Sequence, residues 1–237
     1  MHRMSEWTDR MISFMSDASG YGNYFDELAK CLSAYLEKDW TVCDAGCGIG
    51  QLTLSLSPFV KHITGIDRSE PAIGKLRNCL ATAGPDNAEA VCADFDNLDS
   101  SFGFDAMIFN YYGRMDEILE IARRYCRNRI IVVKKNYTNH RFSIGKNPIN
   151  ESSTSEVSAF LDSRGIRYST RLFSAEFGQP FRSLDDAVEF FEIYSRDGDR
   201  SLINAENVQK RLVETGKPDF PYYLPHRRES MIFVIER

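Results

Sequence analysis

No apolar run in this 237-residue chain is longer than a β-strand. The longest, residues 130–133 (Ile-Ile-Val-Val) and 231–235 (Met-Ile-Phe-Val-Ile), are far too short to cross a bilayer as a helix. Basic excess is missing too. The formal net charge is −5, from 29 Lys and Arg against 34 Asp and Glu, which argues against a dedicated nucleic-acid binder. The one basic cluster, Arg123, Arg124, Arg127 and Arg129, closes a predicted helix, where cations oppose the macrodipole. The six cysteines (Cys31, Cys43, Cys47, Cys79, Cys92 and Cys126) contain no CxxC pair, so neither a disulfide frame nor a metal site is expected. Internal repeats and low-complexity tracts are absent. Residues 1–6 lead into a polar amphipathic stretch and not an apolar signal segment, so the expected location is cytoplasmic, with no membrane partner. The remaining composition, 43% hydrophobic and 27% charged, is that of a soluble globular protein long enough for one sizeable core.

From Trp40 to Lys135 short β-branched or apolar runs alternate with longer helical patterns. Strands are expected at residues 41–44, 62–67, 88–93, 105–110 and 130–135, with helices at 49–56, 70–83 and 116–124. Strands separated by helices imply an α/β fold with a parallel sheet covered on both faces. A further helix is predicted over 155–164, a sixth strand over 166–174 and a last strand over 231–236. Between those two strands lie about 50 residues with helical patterns at 184–194, introduced by Ser183, and at 205–215, preceded by Asn204. The prolines of this stretch, Pro180, Pro218, Pro221 and Pro225, mark it as an insertion. Two amino-terminal helices are expected around 7–16 and 24–35, with Gly20 and Gly22 between them as a hinge.

The chemistry concentrates in Asp44-Ala45-Gly46-Cys47-Gly48-Ile49-Gly50. Here a strand ends on a carboxylate, and alternate glycines turn the backbone tightly into a helix whose free N–H groups face a ligand. A dinucleotide fingerprint would need glycine where Gln51 stands, and Asp44 would repel a pyrophosphate while suiting an ammonium group. The second strand ends on Asp67, placed to accept hydrogen bonds from ribose hydroxyls. The third ends Asp94-Phe95, where Asp94 is either a turn former or an acceptor for an adenine amino group with Phe95 packed on the base.

This set resembles the class I S-adenosylmethionine-dependent methyltransferases over about residues 40–137. The resemblance implies a Rossmann-like three-layer sandwich: a mostly parallel seven-stranded sheet, its last strand antiparallel, preceded by N-terminal helices and carrying a helical insertion between strands six and seven. It divides the single domain into a helical lid (1–36), a core (37–175 and 229–237) and a cap (176–228). It also implies that Gly46 and Gly48 flank the methionine moiety, Asp67 holds the ribose and Asp94 the adenine, with Asp44, Cys47, Arg68, Phe95 and Asn110 also at the cofactor. Trp7-Thr8-Asp9-Arg10, the segment from Phe181 to Ala187 and the closing strand resemble a microbial subgroup of these enzymes.

The implied activity is methyl transfer from S-adenosylmethionine, in the EC 2.1.1 class. The expected acceptor is a small or medium-sized metabolite, with a protein or RNA acceptor, or cofactor binding without transfer, as the alternatives. After the fourth strand the chain reads Asn110-Tyr111-Tyr112-Gly113 and lacks the prolines of a base-gripping Asn-Pro-Pro-Tyr motif, so no nucleic-acid partner is expected. Asn110 is placed to orient an acceptor, and Tyr111 to donate a hydroxyl or face the sulfonium. Candidate bases are Tyr111, His140 and His226. Tyr222, Tyr223, His226, Arg227 and Arg228 stand near the return of the insertion, where the arginines point to an anionic acceptor. In the lid, Tyr21 and Tyr24 are expected to close on the ligand and Arg10 to meet its carboxylate.

Overall fold

The computed structural model describes residues 7–137, 140, 142–145 and 154–237; residues 1–6 lie outside it. Its order begins with α1 (Asp9–Tyr21), α2 (Tyr24–Ser33), β1 (Thr41–Ala45), α3 (Gln51–Leu56), β2 (His62–Asp67), α4 (Glu70–Ala83) and β3 (Ala88–Cys92). It continues with β4 (Phe104–Asn110), α5 (Met115–Tyr125), β5 (Cys126–Lys135), α6 (Thr154–Asp162), β6 (Tyr168–Glu176), β7 (Gln179–Phe181) and α7 (Leu184–Tyr194). The chain closes with α8 (Ala205–Gln209), β8 (Val213–Lys217), β9 (Phe220–Leu224) and β10 (Arg227–Glu236).

Seven strands form one sheet in the order β3-β2-β1-β4-β5-β10-β6. β1 to β5 pair in parallel, and β10 is antiparallel to both its neighbours. Period-two alternation splits the strands between two cores. Ile108, Ile131, Val133, Ile232 and Val234 face Leu28, Leu32, Leu52 and Leu56 of α2 and α3. Met107, Phe109, Ile130, Val132 and Phe233 face Ile118, Ala122, Val157 and Leu161 of α5 and α6. This is the expected three-layer Rossmann-like sandwich. Each arginine of the basic cluster is engaged locally: Arg123 with Glu120, Arg124 with Asp96, Arg127 with Asp105 and Arg129 with Glu236. No helix among the described residues is long and apolar enough to cross a membrane. All six cysteines are free thiols.

The insertion differs from its expected form. Besides α7 it holds a second sheet, β7-β9-β8, and the helix expected over 205–215 stops at Gln209. Val213 and Thr215 are β-branched, and the turn at Pro218-Asp219 folds this segment into a hairpin with β9. Gly216 and Pro218 therefore belong to a hairpin, not a helix end.

The amino-terminal helices also differ. α1 runs through Gly20 to Tyr21, leaving Gly22 and Asn23 as the joint. α1 contributes Phe14 to the core of the insertion and Ala18 to the core of the sheet, to which α2 belongs. The Phe14 ring lies 6.2 Å from Phe181 and 5.2 Å from Phe190. Arg10 donates to Glu189 at 2.9 Å and to Asp186 at 2.5 Å, so it is held by the insertion and not offered to a cofactor carboxylate. Tyr21 stacks on Tyr223 at 5.0 Å, and Tyr24 is buried against Phe173 and Phe177.

Phe14→Ala is expected to cost about 3–5 kcal/mol of unfolding free energy, the scale for emptying a buried phenylalanine site. Urea denaturation measures it, and a cost below about 1 kcal/mol would mean that α1 is not part of that core.

Candidate functional site

β1, β2 and β4 end at one edge of the sheet, and a cavity of about 390 Å³ opens there, within the usual range for small-ligand sites. Its floor is the turn after β1. Gly46 (φ +70°) and Gly48 (φ +55°) take left-handed conformations that side chains rarely adopt. The Gly46 and Cys47 amides both donate to the Ile66 carbonyl, at 2.8 and 3.1 Å, fastening the turn to β2. A Cβ on Gly48 would come within 2.8 Å of the Trp7 ring, so glycine also permits that close approach.

Two carboxylates flank the turn. Asp67 accepts from the Gly48 amide at 2.9 Å through one oxygen and from the Ser69 amide at 2.9 Å through the other. Asp44 is buried, accepts from the Thr53 hydroxyl at 2.7 Å, and has its pKa raised by that burial to about 6. Burial likewise pushes the Cys47 thiol well above its ordinary value, making it a poor nucleophile.

The next wall comes from β4 and β5. Asn110 ends β4 with its side-chain carbonyl oxygen buried and without a partner. Tyr111 follows at φ +57°, the one described non-glycine residue with positive φ, and its hydroxyl meets that of Ser230 at 2.6 Å. Burial raises its phenol further above its ordinary range. Lys134 secures the same loop from beneath by donating to the Tyr112 and Gly113 carbonyls, at 2.6 and 2.5 Å. Burial lowers its pKa to about 8.

The far side is cationic and aromatic. Lys135, His140 and Arg228 line it with Tyr137, Phe142 and Tyr194, while Trp7, Met15 and Phe25 close the cavity from the amino-terminal helices. The loop carrying His140 and Phe142 is tied to the insertion. Asp197 accepts from the Ile144 and Gly145 amides at 2.6 and 2.9 Å, and Ser143 Oγ accepts from the Arg196 amide at 3.1 Å.

The structure thus brings Asp44, Gly46, Cys47, Gly48, Asp67, Asn110, Tyr111 and His140 around one cavity. Four other expected residues do not line it. Arg68 is exposed. Asp94 is exposed and accepts from the Asp96 amide at 3.1 Å, as a turn former does. Phe95 is buried in the core beside Tyr112 and Tyr125. His226 lies outside, its ring 5.9 Å from Tyr137. Arg227 is exposed and donates to the Ser174 carbonyl, which leaves Arg228 as the arginine of that pair at the site. The Trp7, Lys135, Phe142 and Tyr194 contributions had no sequence signal of their own, although Trp7 falls in one of the segments that carry the family resemblance.

A turn whose glycines leave the main chain bare, two carboxylates and an orphaned amide oxygen fit a ligand bearing an ammonium group and sugar hydroxyls.

Comparison with known proteins agrees with this geometry. The model of the methyltransferase domain family matches residues 36–160. The probable cobalt-precorrin-6B C(15)-methyltransferase (decarboxylating) of Methanococcus maripaludis is 29% identical over 97 residues, 41% of this chain and 54% of that protein. The chain thus spans about half the length of this curated relative. Among solved structures, the YcgJ protein of Bacillus subtilis superposes with a TM-score of 0.58 at 15% identity, covering 90% of this chain and 99% of that one. Magnesium protoporphyrin IX methyltransferase of Synechocystis PCC 6803, solved with bound S-adenosylmethionine, gives 0.51 at 15% identity, covering 98% and 86%. These two likenesses are of fold, whereas the family model covers more than half of the sequence and spans the glycine turn and both carboxylates. The chain belongs to the methyltransferase domain family, the Rossmann-like class I enzymes that use S-adenosylmethionine.

Proposed function

We propose that this methyltransferase acts on a small or medium-sized metabolite held between the sheet edge and the insertion. The observation that carries the reading is the composition of the cavity wall. Residues of the sheet edge (Asp44, Asp67 and Asn110) and residues of the insertion and the loop tied to it (Tyr194 and Phe142) line the same 390 Å³. An acceptor enclosed in this way is shielded from water and held at one approach angle, whereas a polymer requires an open groove. Two similar proteins, named for cobalt-precorrin-6B and magnesium protoporphyrin IX, support a metabolite acceptor.

The bound cofactor supplies a methyl group on a positively charged sulfur, an electrophile that needs no further activation. The chain's residues provide the rest. Asp67 accepts the ribose hydroxyls while its Gly48 contact keeps the turn in shape, and Asp44 faces the ammonium group. Asn110 Oδ1 accepts an N–H of a bound ligand. His140, whose Nδ1 lies 3.1 Å from the Ser143 hydroxyl, is the imidazole at the cavity and takes up the acceptor's proton where one is released. Tyr111 remains a hydroxyl donor.

Three outcomes are expected. Asp67→Ala weakens S-adenosylhomocysteine binding by roughly 2 kcal/mol or more in calorimetry, the scale for hydrogen bonds to a charged acceptor; unchanged affinity would remove the ribose assignment.

The second concerns pH. The Asp44 carboxyl is raised to about 6, so it carries the charge that an ammonium group needs only above that pH. Affinity for S-adenosylhomocysteine should therefore fall as pH drops below about 6, approaching tenfold per unit. In Asp44→Asn this dependence should disappear. For folding the sign is opposite, because a raised carboxyl favours the folded state at low pH and loses that contribution as pH rises through about 6.

The third concerns the acceptor itself. When a cell extract is supplied with methyl-labelled cofactor and the purified chain, label should enter the small-molecule fraction. Label in RNA or protein alone would overturn the metabolite reading.

A further inference from the structure

We propose that Arg228 is an anion anchor in the acceptor half of the cavity and that the acceptor carries a carboxylate. The inference rests on the methyl-transfer reading above and names the class of acceptor. Arg228 is the second residue of β10 and is only 9% exposed. Its guanidinium carbon lies 4.4 Å from the Phe177 ring centroid, 4.9 Å from Tyr111 and 5.1 Å from Tyr24. These faces return part of the hydration lost on burial. They do not fill hydrogen bonds. Nε is buried without a partner. No ion pair reaches Arg228 among the described residues. Other arginines of this chain meet carboxylates: Arg10 with Asp186 and Glu189, Arg129 with Glu236, and Arg182 with Asp17.

A guanidinium buried among rings with its planar fork unfilled, on the wall of a cavity, suits a carboxylate that completes the fork. The strand order says which ligand brings it. Asp67 ends β2 and Asp44 stands one residue before the end of the adjacent β1, the two strands assigned above to the cofactor. Arg228, at the start of β10 after Arg227, stands three strands beyond β1 across β4 and β5, roughly 14 Å away at the usual strand spacing of about 4.8 Å. Lys135 of β5 lines the interval and pairs with Ser230 of β10 in the sheet. The cavity is therefore acidic over the cofactor strands and basic over the acceptor strands.

The test is calorimetric, with benzoate as the anionic probe and benzyl alcohol as its neutral match. Both are titrated into the full chain, free and saturated with S-adenosylhomocysteine, and into Arg228→Met and Arg228→Lys. The wild type should prefer benzoate by at least tenfold. Arg228→Met should lose the preference and Arg228→Lys keep only part of it, with S-adenosylhomocysteine affinity within twofold throughout. If Arg228→Met fails to fold, Arg228→Lys decides, since it keeps the charge but not the fork; full retention of the preference there overturns the assignment. A wild type that does not distinguish the probes overturns it too. Loss of S-adenosylhomocysteine affinity in Arg228→Met would assign the guanidinium to the cofactor's own carboxylate instead. Failure of the methyltransferase reading would show separately, as a wild type that does not bind S-adenosylhomocysteine, and the titration of the free chain would still decide the anchor.

Discussion

The Asp67 carboxylate joins the first two turns of the sheet edge. One oxygen takes the Gly48 amide from the turn after β1, and the other takes the Ser69 amide at the start of α4. Its two left-handed residues, Gly46 and Gly48, have no side chains with which to hold that path, so the turn's shape comes chiefly from partners on β2: this carboxylate and the Ile66 carbonyl. The same arrangement sets the bare glycines and the Asp67 carboxylate on the cavity wall. The constraint that builds the turn thus also builds the binding surface. That economy explains why the edge tolerates two acidic groups in sequence neighbourhoods otherwise rich in apolar residues.

The second constraint is the division of the amino terminus. α1 is fixed to the insertion by Phe14 and the Arg10 clasp, while α2 is fixed to the sheet by Leu28 and Leu32. The insertion is tied at its base by the Phe177 amide on the His226 carbonyl at 2.7 Å, and by Glu176, which accepts from the Tyr223 hydroxyl and the His226 amide. It is tied again at its side by Asp197 on the loop that carries His140. The cavity is therefore closed by residues of the amino-terminal helix, by His140 and residues 142–145, and by the insertion, which pack on one another as well as on the sheet.

Much of this was legible in the sequence wherever local chemistry agreed with tertiary demand. α4 and α7 fall at the expected residues because Ser69 and Ser183 cap their first turns and their apolar spacing is helical. The strand-end carboxylates Asp44 and Asp67 were readable because their positions follow directly from the sheet topology. The hairpin of β8 and β9 was hidden because Val208 and Leu212 continue a helical apolar pattern into a segment whose pairing partner lies several residues on. Asp94 and Phe95 illustrate a different limit. A residue's place at a strand end is readable, but the direction of its side chain depends on the packing of Tyr112 and Tyr125, which only the folded core supplies. β10 began four residues earlier than expected because Arg228 reads as a loop cation, yet it is buried among three rings.

That burial joins the fold to the chemistry. Taking an unpaired charge from water is costly, and an apolar residue of similar volume would fill the space between Tyr24, Tyr111 and Phe177 at less cost to stability. Asp44 presents the same problem at the other end of the sheet edge, and there burial raises its pKa instead. Neither charge is needed to close the sandwich, since the sheet and its helices are held by apolar contacts on both faces. The Tyr111 backbone at φ +57° adds a further unfavourable conformation between them. These costs meet at one edge of the sheet, with the negative groups over β1 and β2 and the positive groups over β5 and β10, on a surface shaped for what binds there. A ligand pair of matching polarity relieves both buried charges at once. Binding of cofactor and acceptor should then be favourable in the same electrostatic sense, while each remains at its own end of the cavity.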